Sequence, residues 1–258
     1  MTKRIKKSEQ YAQKIFNGMI RRSGETMYRH ALNVRRRLED IGVQDEDVLI
    51  AALLHDINKF SDENIHNEIK KLFGQKVSDL LKTHQKFHDT DIKIKSPSNV
   101  NRDYIIQTYV NMAEDPNVLL ILLADKTENS RTIYALGKES RKKASEKALY
   151  VYAPICRLVG LFGFSMELEK NGFMILFPSE YFKIKKFIKD KSVLTKNMLE
   201  NIRELIYEYL EKNDIKPRIS YRIKTEYSIF EKSLRYKKEG KLKADYANLY
   251  DIAAMRVL

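Results

Sequence analysis

Seven consecutive apolar residues, 48–54, end on His55 and Asp56. The apolar run 118–124 predicts a central helix, and a run as apolar as 48–54 predicts a helix that buries its face in a packed core. The imidazole and carboxylate that close it need partners, because polar groups taken out of water without them are costly. Two other places offer matching groups. His30 lies within a helical pattern carried by Met27, Leu32, Val34, Leu38 and Ile41, and Asp125 directly follows the apolar run 118–124. His, His-Asp and Asp on three apolar helices form a nitrogen and oxygen donor set without thiolate, suited to one divalent cation. Spacing alone leaves two readings open, a ligand set and a satisfied polar core.

The rest of the chain supports a helical class. Residues 8–20 carry Tyr11, Ile15, Phe16 and Ile20 at helical spacing, and Gly42 ends the helix that holds His30. Asp45 is a natural N-cap for the next helix, to Asp56, and Ser61-Asp62-Glu63-Asn64 signals another, through Leu81. Residues 84–100, with Pro97, read as a loop, which makes His66, His84 and His88 surface residues. Helices are expected over 101–113, 116–136 and 140–170, the last interrupted at Pro154. Gly172 and Pro178 bracket 173–177, and helical spacing resumes over 180–188 and 193–210. After Pro217 the texture alternates, and residues 218–223 and 250–258 read as strands. A strand at the chain's last residue, with few others to pair with, reads as a second domain only begun.

Composition bounds the partners. With 258 residues, 43% of them hydrophobic and 32% charged, the chain can bury a substantial core and is not disordered. Its net charge of +13 favours an anionic partner without naming one. The basic residues are spread along the chain and accompany no nucleic-acid motif, so nucleic-acid binding is not expected. The paired Arg21 and Arg22 beside Ser23-Gly24 are, on physics alone, a solvated turn. Cys156 is the single cysteine, which excludes an internal disulfide and fits a small buried hydrophobe in a reducing compartment. The basic first residues lead into no apolar segment and the longest apolar run is too short for a bilayer, so a cytoplasmic protein without membrane spans is expected.

Four stretches carry a resemblance that says more. They are Arg21-Arg22-Ser23-Gly24-Glu25 leading to His30; Ala51-Ala52-Leu53-Leu54-His55-Asp56; residues 122–132, Leu-Leu-Ala-Asp-Lys-Thr-Glu-Asn-Ser-Arg-Thr; and residues 152–160, Tyr-Ala-Pro-Ile-Cys-Arg-Leu-Val-Gly. In order and spacing they resemble the N-terminal hydrolase of the RelA/SpoT family, the enzymes that make and degrade the alarmone (p)ppGpp. The resemblance implies an all-α HD-domain bundle over 1–190, a helical connector over 191–215 and an incomplete α/β start of the synthetase domain over 216–258. It implies that His30, His55, Asp56 and Asp125 hold Mn²⁺, and that Arg21, Arg22, Ser23, Asn129 and Thr132 line a guanine-nucleotide pocket for ppGpp or pppGpp. The chemistry it implies is hydrolysis of the 3′-pyrophosphate to GDP or GTP and pyrophosphate.

One departure bears on activity. Active members of the family follow His-Asp by two residues and then Glu-Asp, acidic groups that position water; here Lys59 and Phe60 stand there. The catalytic candidates are therefore Asp56 and Lys59, with Asp62 or Glu63 as substitutes for the missing pair. The alternative is a regulatory HD domain that binds nucleotide without turnover and controls an attached synthetase. Toward the C-terminus, Arg222, Lys224, Ser228 and Lys232 match positions expected to hold ATP phosphates, and Asp251 the first of two carboxylates that bind Mg²⁺. The second carboxylate is not in this sequence, so synthesis is not expected from this chain, which reads as a fragment of a bifunctional protein. Any ribosome contact is expected from a part beyond it.

Overall fold

A computed structural model describes residues 2–59, 64–93, 107, 109, 115–240, 246 and 252–258. The described residues form two compact units, Met1–Leu176 and Phe177–Leu258. The fold is helical, with one short two-stranded sheet near the C-terminus.

The first unit is built from helices α1 (Lys3–Ile15), α2 (Met27–Asp40), α3 (Glu46–Leu54), α4 (Ile65–Phe73), α5 (Gln75–Lys93), α6 (Pro116–Ser130), α7 (Lys138–Lys147), α8 (Ala153–Leu158) and α9 (Phe162–Leu176). Its centre is α3. The Asp45 carboxylate caps it by accepting from the Asp47 amide, and every residue from Val48 to Leu54 is buried. α1, α2 and α5 surround it, and α6 packs on α2, α5 and α9. A helix apolar all round needs such a cage to remove its whole surface from water. α6 is its counterpart: Asp115 caps it, Pro116 sits in the first turn where a missing N–H costs nothing, and Val118, Ile121, Leu122, Leu123 and Ala124 are buried.

Several elements differ from their sequence reading. The helix expected through Leu81 is two, because Gly74, at φ 101°, ends α4 before α5 begins. α5 then runs to Lys93, through residues read as a loop; the rest of that loop and most of 101–113 lie outside the described residues. Pro154 does not interrupt the chain's helical course. It occupies the first turn of α8, which follows α7 through one π-helical turn, and the break comes at Gly160, at φ 82°. Gly172 is inside α9 and brackets nothing: a Cβ there would lie 2.9 Å from the Ser145 carbonyl oxygen, so it marks a close helix crossing.

In the second unit a 34-residue helix, α10 (Pro178–Glu211), runs unbroken through residues 188–193, where a gap was expected. β1 (Ile219–Ile223) pairs antiparallel with β2 (Ala253–Val257), in register Ile219 with Val257 through Ile223 with Ala253. Between them lies α11 (Glu226–Lys238), capped by Thr225. Both strands fall where alternation predicts them. No helix among the described residues is long and apolar enough to cross a membrane.

Candidate metal centre

α3 stops at Leu54, and His55 begins a turn that tightens into a single 3₁₀ turn at Ile57–Lys59. His55 keeps helical dihedrals, and this end of α3 brings His55 and Asp56 to His30 of α2 and Asp125 of α6. His30 projects from the first turns of α2, whose N-cap Thr26 accepts from the Arg29 amide, and Asp125 from the middle of α6. All four residues are buried, none more than 4% exposed.

They converge. His30 Nε2 lies 3.2 Å from Asp125 Oδ1; His55 Nε2 lies 3.3 Å from Asp125 Oδ1 and 3.3 Å from Asp56 Oδ1. Donor atoms of His30, His55 and Asp56 lie within 4.8 Å of one another. His55 Nδ1 donates to the Ala52 carbonyl at 2.8 Å, which leaves Nε2 of the neutral ring as a lone pair facing both carboxylates. That nitrogen is buried and makes no hydrogen bond, although two oxygens are near. Imidazole nitrogens and carboxylate oxygens gathered this closely in a buried place suit a divalent metal.

The electrostatics agree. Burial works to raise both carboxyls, but the charges of His55 and Lys59 hold Asp56 down at about 2, and a hydrogen bond from His30 with the charges of Lys126 and His55 holds Asp125 well below its usual range. Burial pushes His30 down, keeping it a neutral donor. Burial also works to lower His55, but the Asp56 charge prevails and raises it.

The expected substrate residues divide. Arg21 donates from Nη2 to Asn129 Oδ1 at 2.5 Å, and Asn129 Nδ2 donates to Asp125 Oδ1 at 2.7 Å, a chain of contacts from the Arg-Arg turn to the cluster. Thr132 donates to the Asn129 carbonyl at 3.3 Å. Arg22 is exposed, and Ser23 accepts weakly from the Glu25 amide, 3.5 Å away, inside the turn that Gly24 closes at φ 86°. The turn is therefore built rather than merely solvated. Glu25 accepts from Asn33, Asn33 donates to Glu128, and Arg37 joins Glu128 at 2.6 Å to Glu167.

Of the catalytic candidates, Lys59 places its ammonium 2.6 Å from Asp56 Oδ1, while Asp62 and Glu63 lie outside the described residues. Lys126, not singled out in the sequence, lies 3.6 Å from Asp125 Oδ2. His84 is a correction: it is buried rather than on the surface, with its ring centroid 5.5 Å from that of His55 and edge-on to it. The spacing Val77, Leu80, Leu81, His84, Phe87 carried that signal, since it keeps one buried stripe along α5.

In the second unit Lys224, Ser228 and Lys232, with Glu231 and Arg235, line one cavity of 370 Å³. Arg222 is exposed on β1, and Asp251 lies outside the described residues.

The chain is similar to known proteins along most of its length. The sequence model of the HD domain matches residues 9–162. A guanosine-3′,5′-bis(diphosphate) 3′-pyrophosphohydrolase of Aquifex aeolicus is 34% identical over 235 residues, 90% of this chain and 32% of that protein. The bifunctional (p)ppGpp synthase/hydrolase SpoT of Escherichia coli is 30% identical, over 99% of this chain and 35% of that protein. A GTP pyrophosphokinase of Streptomyces antibioticus is 29% identical over 99% of this chain and 29% of its own length. The chain thus spans about a third of the length of these relatives. Among solved structures, one described as a metazoan ortholog of SpoT that hydrolyses ppGpp matches with a TM-score of 0.46 and 22% identity, over 68% of this chain and 94% of that one.

Proposed function

We propose, for a chain that belongs to the HD domain family, that its first unit is a metal-dependent hydrolase of the 3′-pyrophosphate of (p)ppGpp, releasing pyrophosphate and leaving GDP or GTP. The observation that carries the proposal is the convergence of His30, His55, Asp56 and Asp125 on one buried point, with His55 Nε2 facing two carboxylates and hydrogen-bonded to neither. These four residues would hold the ion, for which Mn²⁺ is our choice. When bound, such an ion polarises phosphoryl oxygens and lowers the pKa of water to the neutral range.

The remaining work falls to the chain's own groups. Asn129 fixes the Asp125 carboxylate through its amide and anchors Arg21, so that the guanidinium stands beside the cluster. A guanidinium there offers planar, bidentate donors to a phosphate. Lys59 and Lys126 bring two ammonium groups to the same carboxylates, and each can turn to a phosphate oxygen that enters.

Pyrophosphate release from ppGpp, measured with and without added Mn²⁺, tests the reading. It predicts metal-dependent release that Asp56→Ala abolishes. Release that persists undiminished in that variant removes the assignment.

A second reading has its own observation. Lys59 stands where the family's acidic pair begins and is already paired with Asp56. On this reading the unit binds ppGpp without turnover and controls an attached synthetase. Calorimetric binding of ppGpp by metal-loaded protein that releases no pyrophosphate would favour it over hydrolysis.

A further inference from the structure

Outside the four-residue cluster, a line of polar side chains runs from the Arg-Arg turn through α2 and α6 to α9. It begins at Glu25, whose Oε2 lies 4.0 Å from Arg21 Nε and whose Oε1 accepts from Asn33 Nδ2 at 3.2 Å. The same Asn33 nitrogen donates to Glu128 Oε1 at 3.0 Å. Glu128 is buried at 5% exposure, and its other oxygen accepts from Arg37 Nε at 2.6 Å. Arg37 in turn makes a two-pronged pair with Glu167. Charges alternate along this line except at Asn33, where two carboxylates meet across one neutral amide.

A buried carboxylate needs a cation or hydrogen bonds, and Arg37 already supplies the cation for Glu128. The Asn33 amide neutralises nothing. It offers two N–H groups in one plane, one for each carboxylate, and so fixes the direction of both. His30, Asn33 and Arg37 follow at i, i+3 and i+7 on α2, one stripe that meets α6. Glu128 and Asn129 are consecutive on α6, so the turn is attached there at two adjoining points. Arg21 reaches Asn129 directly at 2.5 Å, and Glu25 reaches Glu128 through Asn33. The turn also closes on itself, with the Arg21 amide donating to the Glu25 carbonyl at 2.8 Å.

We propose that Asn33 is a positioning residue for substrate: supported by Glu128, it holds the Glu25 carboxylate beside Arg21 and so sets the plane in which the Arg21 guanidinium meets a pyrophosphate group. A guanidinium held on its Nε and Nη2 sides keeps Nη1 for a phosphate oxygen. Held from two sides, the side chain has one orientation in place of the several rotamers of a free arginine. Its rotamer freedom is then lost on folding rather than on binding, which tightens binding. The gain belongs to recognition of the bound nucleotide, so it enters KM and leaves kcat alone.

The inference rests on the hydrolase reading, and its test separates the two. Asn33→Leu keeps the bulk of the side chain and removes both donors. The KM for ppGpp, from pyrophosphate release, should rise about tenfold, as for loss of one hydrogen bond to a charged group, while kcat, Mn²⁺ affinity and helical circular dichroism stay unchanged. If the unit binds ppGpp without turnover, the Kd from calorimetry takes the place of KM. In an Arg21→Ala background the same substitution should cost nothing further, because Asn33 acts through Arg21. A purely structural residue costs the same in both backgrounds. Wild-type KM in Asn33→Leu, or equal losses with and without Arg21, overturns the positioning role and leaves the hydrolase standing. Weaker Mn²⁺ binding in Asn33→Leu overturns it as well, by moving the effect to the cluster. Wild-type protein that neither binds nor cleaves ppGpp overturns the hydrolase and this inference together.

Discussion

Asn129 is the residue on which the account of the centre can be pressed hardest, because it touches both halves. Its amide nitrogen donates to Asp125 and its oxygen accepts from Arg21. Groups that hydrogen-bond a metal ligand hold it in place, and removing one typically costs 10–100-fold in affinity. Asn129→Ala should therefore weaken Mn²⁺ binding by about tenfold or more, measured by calorimetry, and raise the KM for ppGpp because Arg21 loses its anchor. Unchanged Mn²⁺ affinity would show that Asp125 is held without it. The four-residue cluster was legible in sequence because each member closes or interrupts an apolar helical pattern, as His55 and Asp56 do after residues 48–54. His84 was missed for a physical reason. Its neighbours Lys82, Gln85 and Lys86 are polar, and local composition masks a buried stripe that only the spacing from Val77 to Phe87 preserves.

At the scale of elements, helix identity was readable and helix limits were not. Glycine is the reason in two places. Gly74 ends a helix where continuous periodicity suggested one, since left-handed backbone leaves no trace in hydrophobic spacing. Gly172, which sequence punctuation makes a boundary, is a contact, where α9 crosses the end of α7 too closely for a side chain. Gly172→Ala would place Cβ 2.9 Å from the Ser145 carbonyl and 3.2 Å from Leu149 Cβ, and backbone there cannot move aside cheaply. Overpacking of this kind costs roughly 1–3 kcal/mol and outweighs the gain in helix propensity, so the melting temperature should fall. A rise would contradict the close crossing. α9 is tied by charge as well, to α2 and to the C-terminal end of α6. Glu167 on α9 receives Arg37 through both guanidinium nitrogens at 2.9 Å, and Arg131 as well. Burial works to raise its carboxyl, but these hydrogen bonds prevail and hold it below the usual range. A depressed carboxyl stabilises the fold above its unfolded pKa, about 4.3, and the contribution fades as pH falls through the folded value. Denaturant unfolding should show Glu167→Gln less stable than wild type at pH 7, with the gap closing toward pH 3. A gap independent of pH would remove the charge from the explanation.

For the whole molecule, the sequence separated a helical part from a part with strands, and the structure has both, dividing into compact units between Leu176 and Phe177. The expected hydrolase boundary at 190 falls inside α10, where a long amphipathic helix carries no punctuation for a boundary to be read from. Net charge belongs to this scale too. A chain of +13 meeting a tetra- or pentaphosphorylated nucleotide gains long-range attraction that salt screens. The KM for ppGpp should rise with added potassium chloride while the fold, followed by circular dichroism, is unchanged; a KM indifferent to salt would confine recognition to contacts within the site. All four ligand candidates lie in the first unit, and everything proposed for it depends on their holding an ion. The most direct measurement is anomalous diffraction at the manganese edge from crystals of the chain grown with Mn²⁺. The account predicts a strong peak bounded by His30 Nε2, His55 Nε2 and the carboxylates of Asp56 and Asp125. A crystal saturated with Mn²⁺ that shows no peak there would contradict it.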